Sequence, residues 1–136
     1  MSEKYPEFSD LIGKTITKIE VTADKENVNI ECSDGEKYRM YHSQDCCETV
    51  SVDDVVGDLE DIVGSPITQA EEVSHRGGDE NLPEECKQKS DYEESFTWTF
   101  YKLATIKGSV TIKWYGSSNG YYSESVDFDR VDKHHA

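Results

Sequence analysis

Apolar positions along the chain alternate in short runs broken by turn residues, with little sustained 3.6-residue periodicity, and this pattern reads as β-strands. Thr15–Thr22 carries Ile16, Ile19 and Val21, and the change of phase between them predicts a bulge inside a first strand. Asn27–Ser33 alternates regularly, with Val28, Ile30 and Cys32 on one face. The pair Asp34-Gly35 predicts a hairpin turn, after which Lys37–His42 returns with Tyr38 and Met40 on one side. These three segments make a meander. Thr49–Val52 resumes a strand, but Asp53–Val63 spaces Val55, Val56, Leu59, Ile62 and Val63 as one helical face, ended by Gly64 and Pro66. Asp53 and Asp54 in its first turn suit the helix dipole. Pro66–Ser74 is expected to be extended, with Ile67, Ala70 and Val73 inward.

Between 71 and 94 the apolar content collapses, and nine acids stand against three basic residues. That composition predicts an acidic flexible loop. Beyond it, a three-residue loop at Ile106-Lys107-Gly108 would set Phe100 opposite Trp114, Lys102 opposite Ile112 and Ala104 opposite Val110. Trp98, Phe100, Ala104, Val110, Ile112 and Trp114 then share a buried face. A second three-residue loop, Ser118-Asn119-Gly120, carries that face on through Tyr122, Val126 and Phe128. Residues 129–136 are polar and expected to fray. The fold expected from these elements is α+β: one strongly twisted antiparallel sheet of six to eight strands, with a single main helix around 53–63.

At 136 residues the chain has room for one domain, 1–136, and not for two. Its 29 acids against 14 Lys and Arg give a net charge of −15, which repels a phosphate backbone and argues against direct nucleic-acid binding. Nowhere do eighteen apolar residues run together, so no membrane partner is expected. Four cysteines without a CxxC spacing, and an N-terminus without an apolar leader, predict reduced thiols in a cytoplasmic protein.

Four blocks carry a resemblance: Ser33-Asp-Gly-Glu-Lys-Tyr-Arg-Met-Tyr-His-Ser-Gln-Asp-Cys-Cys-Glu48, Gly57-Asp-Leu-Glu-Asp-Ile-Val-Gly-Ser-Pro-Ile67, Thr97-Trp-Thr-Phe-Tyr101 and Trp114-Tyr-Gly-Ser-Ser-Asn-Gly-Tyr-Tyr-Ser123. Together, over roughly Leu11 to Phe128, they resemble a family of short uncharacterised domains frequent in tailed-phage genomes and their bacterial hosts. The resemblance implies a small protein made during infection or from a prophage, and brings no catalytic or binding residues with it.

The densest reactive set is His42, Asp45, Cys46, Cys47 and Glu48. His42, Cys46 and Cys47 are candidate zinc ligands, with Cys86 or His75 to complete a tetrahedron, although adjacent cysteines on an extended segment point to opposite faces. As a nucleophile, either thiol would have its pKa raised by Asp45 and Glu48 beside it, so no catalytic residue is assigned. No common enzyme motif occurs, and no cofactor is expected. Asp53, Asp54, Asp58, Glu60 and Asp61 lack the alternating spacing of a calcium loop and read as a solvated, negative face. Tyr115, Ser118, Asn119 and Tyr121 surround a hairpin tip whose aromatic and hydroxyl groups suit recognition. Trp98 and Trp114 are expected in the core.

Two functions follow. In the first, the protein binds and blocks a host protein with a basic surface, using His42, Asp45, Glu48, Asp54, Asp58 and Asp61 together with the Tyr115–Tyr122 tip. In the second, it sequesters a small nucleotide-like signal in a pocket near His42–Glu48 and the aromatic Tyr115–Tyr122 tip.

Overall fold

The computed structural model describes residues 6–44, 47–78, 82–89, 94–120 and 123–131. Eight antiparallel strands form two four-stranded sheets. The first sheet has the order β1-β2-β3-β8, made of Ile16–Val21, Asn27–Cys32, Lys37–Tyr41 and Asp127–Arg130. The second has the order β4-β7-β6-β5, made of Thr49–Val56, Gly108–Ser118, Ser95–Thr105 and Gln69–Arg76. Their inner faces share one core, in which Val28, Ile30, Tyr38 and Met40 meet Tyr101, Leu103, Ile112 and Trp114. Fully burying each such side chain stabilises by about 1.5–3 kcal/mol. The domain is thus a two-layer β-sandwich.

The meander follows the alternation of the sequence. Its expected bulge is present, as a register shift between Ile16 and Lys18 against β2. Gly35, at φ 89°, makes the turn between β2 and β3.

The expected helix at 53–63 is absent, and with it the α+β class. Val50 and Val52 point into the core, the register against β7 shifts between Val52 and Asp54, and Val55 then packs inward instead. One extra residue in a strand of β-branched side chains gives apolar spacings of two and three, which imitates helical periodicity. Only Leu59–Ile62 turns, as a single 3-10 segment. Asp58 caps it by accepting a hydrogen bond from the Glu60 N–H at 3.0 Å.

The β6–β7 hairpin is tighter than expected by one residue. Thr105 pairs with Gly108, so Leu103 faces Val110, Tyr101 faces Ile112 and Thr99 faces Trp114. A slip of one residue moves side chains to the other face. The face expected to be continuous is therefore split: Val110, Ile112 and Trp114 lie between the sheets with Tyr101 and Leu103, while Trp98, Phe100 and Tyr115 lie on the outer face. There they form a second cluster with Cys86, Leu82 and Phe96. Both tryptophans are buried, Trp98 at 6% exposure and Trp114 at 0%. Trp114 Nε1 has no hydrogen-bond partner among the described residues.

The second expected hairpin does not form. After Ser118 the chain leaves the sheet, and Phe128 pairs with Met40 of β3, stacking on Tyr38 at 5.1 Å between ring centroids. Phe8, from a 3-10 turn at Phe8–Leu11, seats edge-on against both Phe128 and Tyr101 and so joins the two sheets. Of the acidic stretch, residues up to Arg76 belong to β5, and 82–89 strap the outer aromatic cluster. Contacts that pin the strap include the Lys89–Asp53 ion pair and three more. Trp98 Nε1 donates to the Lys87 carbonyl at 2.9 Å, Lys89 N donates to Tyr115 Oη at 3.0 Å, and Lys113 pairs with Glu85 at 3.7 Å.

Gly57 links β4 to the 3-10 turn at φ 103°, and a Cβ there would stand 2.6 Å from the Ser109 carbonyl oxygen. Gly57→Ala is expected to destabilise the fold by about 1–3 kcal/mol, read as a lower urea midpoint at unchanged slope.

Candidate functional site

Two chain crossings run between the sheets at the same end: β3 to β4 through residues 42–48, and β7 to β8 through 119–126. His42 ties them together. Its Nδ1 lies 2.7 Å from the Ser125 carbonyl oxygen and its Nε2 lies 2.7 Å from Glu48 Oε2. The two side chains are 4% and 0% exposed. Both ring nitrogens thus face acceptors. Nδ1 must carry a proton for Ser125, and a second proton is shared between Nε2 and the carboxyl, so the pair is neutral overall whichever atom holds it. Gln44 Nε2 donates to the Glu48 carbonyl oxygen at 2.6 Å and to Glu48 Oε1 at 3.2 Å.

This arrangement is a clasp. It offers no free nitrogen to a substrate or a metal. Cys47 is disulfide-bonded, whereas Cys32 and Cys86 are free and buried, so the reduced state expected for the thiols does not extend to Cys47. Burial first, then the carboxylates nearby, push both free thiols above the ordinary range. Among the described residues, no three His, Cys, Asp or Glu side chains converge as a metal site would require. Asp45 and Cys46 lie outside the described residues.

A trough opens between β5 and the segment leading into β8. One part, of about 230 Å³, is lined by Ser74, Arg76, Thr97, Thr99, Ser123 and Glu124; the other, of about 400 Å³, by Glu7, Phe8, Tyr101, Asp127 and Phe128. Glu72 and Val126 border both, so the two are continuous. Glu124, 7% exposed, accepts from Thr97 Oγ1 at 2.7 Å and from Ser118 Oγ at 2.5 Å. It lies over Gly116, where a Cβ would come within 2.9 Å of it. Tyr101 Oη donates to Glu72 Oε2 at 2.6 Å. Burial, then that hydrogen bond, hold the Tyr101 phenol far above its ordinary pKa. Four carboxylates and one guanidinium line the trough, so a phosphate-bearing ligand is poorly matched to it and a cationic one well matched.

The remaining candidates are dispersed. Tyr115 is buried at 7% exposure beneath the strap, and Ser118 at 8% holds Glu124, so both are internal. Asn119 is exposed, and Tyr121 lies outside the described residues. Asp54, Asp58 and Asp61 gather at the corner where β4 meets the 3-10 turn, with Asp54 and Asp58 exposed and Asp61 half-buried. The sequence reading places Glu72 only in a general negative surface with Glu71 and the 79–94 loop, and misses Glu124 and Tyr101. Tyr101 carried a signal, since an aromatic beside Phe100 cannot share its face in one strand.

The fold and the trough define an all-β sandwich domain with one open, acidic side. The chain belongs to the family described as domain of unknown function DUF7448, whose model matches residues 9–128. No curated protein and no solved structure matches it.

Glu48→Ala, which leaves His42 buried opposite an empty carboxyl site, is expected to cost about 3–5 kcal/mol in chemical denaturation. Glu48→Gln, able to accept from Gln44 and donate to Nε2, is expected to cost less than about 1.5 kcal/mol. Raised in the fold, the Tyr101 pKa contributes stability that is intact below pH of about 10 and is lost as pH rises and unfolded tyrosine ionises. Tyr101→Phe is therefore expected to lower stability by about 1 kcal/mol at pH 8 and to flatten its decline above pH of about 10, measured by urea unfolding at each pH.

Proposed function

We propose that this domain is a non-enzymatic binding module that engages and blocks a host protein with a basic surface, in the cytoplasm of a cell infected by a phage or carrying a prophage. The observation that carries the reading is the corner between β4 and the 3-10 turn. Asp54, Asp58 and Glu60 stand exposed there, and none of them pairs with a cation among the described residues. In a chain of net charge −15 such a corner extends a field that steers and orients a cationic partner. The resemblance of the quoted peptides to domains frequent in tailed phages supports the infection context, where the blocked protein would include components of host defence. The closed His42–Glu48 clasp supports a binding role over a catalytic one. A sequestered nucleotide-like signal draws no support from a trough rich in carboxylates. Zinc binding draws none from an imidazole with both nitrogens engaged.

Capture of partners from bacterial lysate on the immobilised protein, repeated at about 50 mM and about 500 mM salt, tests the reading. A captured basic protein is expected to weaken by about tenfold or more at high salt, and with Asp54→Asn, Asp58→Asn and Asp61→Asn combined. Asn preserves the cap at 58, so the fold is kept. Capture indifferent to both changes overturns the proposal.

A further inference from the structure

A sandwich of two open sheets has four edges, and three of these are blunted. β1 and β4 each carry a register shift, and β8 has only four residues. β5 differs: eight residues, Gln69–Arg76, pair with β6 in unbroken register, without a proline or a bulge. The Gly77 N–H donates to the Phe96 carbonyl at 2.9 Å, which makes 77 and 96 a hydrogen-bonded pair and turns the odd-numbered residues of β5 toward β6. The backbone groups of Ala70, Glu72 and Ser74 therefore point outward. The 3-10 turn Phe8–Leu11 packs against the start of β5 and Ala70 is buried, so the open part of the edge is Glu72 and Ser74, whose outward backbone groups have no hydrogen-bond partner among the described residues.

The same residues turn their side chains toward the trough, and Glu72 stands at the junction of its two parts. Glu71, on the opposite face of the strand, is also exposed. An edge open at Glu72 and Ser74 invites another strand, and carboxylates on both of its faces disfavour a second copy of this chain while favouring a cationic strand.

Resting on the basic-partner reading above, we infer that the partner delivers an extended basic peptide to the β5 edge. The peptide pairs backbone to backbone at Glu72 and Ser74. Alternate Lys or Arg side chains enter the trough beside Glu72, Glu124 and Asp127, and the intervening ones pass Glu71.

The test uses the full chain and a fluorescent peptide of alternating Lys and Thr, followed by anisotropy at about 50 mM salt. Binding is expected, with amide resonances shifted at 72–76 and 123–126. N-methylation of the peptide on its pairing edge is expected to weaken it by about tenfold, because that removes the backbone bonds and keeps the charge. Ser74→Pro, which removes an outward N–H at an edge where proline is tolerated, is expected to do the same. The corner variant Asp54→Asn, Asp58→Asn and Asp61→Asn is expected to change peptide binding by less than about twofold. Equal binding of the N-methylated peptide overturns the inference whether or not the proline variant folds. So does a self-association of the chain that Ser74→Pro removes. If the peptide fails to bind, or loses affinity only with the corner variant, while a captured partner remains salt-sensitive, the edge assignment falls and the acidic-exterior reading stands.

Discussion

β6 carries large apolar groups on both faces, and a strand of that kind must be covered twice. Tyr101 and Leu103 meet the opposite sheet; Phe96, Trp98 and Phe100 look outward, where water would otherwise wet them. The segment 82–89 answers this demand with few apolar residues of its own, chiefly Leu82 and Cys86. It supplements them with the Lys87 carbonyl on the indole, the Lys89 N–H on the Tyr115 phenol, and the Lys89 ammonium 5.2 Å from the Tyr115 ring centroid. Acidic composition therefore does not keep this stretch off the protein. Backbone polar groups and lysine stems do the covering that apolar side chains do elsewhere.

The chain crossings beside this cluster depend on polar contacts of another sort. Two crossings between sheets bring backbone out of strand pairing, and their polar groups need partners. His42, Glu48, Gln44 and the Ser125 carbonyl satisfy one another there, and Glu124 does the same with Thr97 and Ser118. The open side of the molecule is thus bordered by groups whose hydrogen bonds fix the 123–126 segment, leaving a trough between it and β5.

The meander, its bulge and its Asp34-Gly35 turn were legible because one face of that sheet is buried and the other wet, so alternation maps directly onto burial. The helix at 53–63 was misread because a bulge converts period two into a mixed spacing, and no local signal in Val52-Asp53-Asp54 separates the two cases. The hairpin register was off by one because β6 is apolar on both sides, which removes the asymmetry that register arithmetic needs. Phe128 was placed in a hairpin with β7 and not beside Met40 of β3, since pattern gives a residue's face and not its neighbour. Of the candidate site, the acids of the corner were readable as exposed. The trough was not, since Glu72, Tyr101 and Glu124 come from distant segments that only the pairing of β5 with β6 and the crossing at 123–126 bring together.

The two indoles sit in separate layers, one under the 82–89 strap and one between the sheets. Trp98 emission therefore follows the attachment of the outer cover, and Trp114 emission the integrity of the sandwich. A chain holding either indole alone would let a spectroscopist watch peeling and melting as separate events.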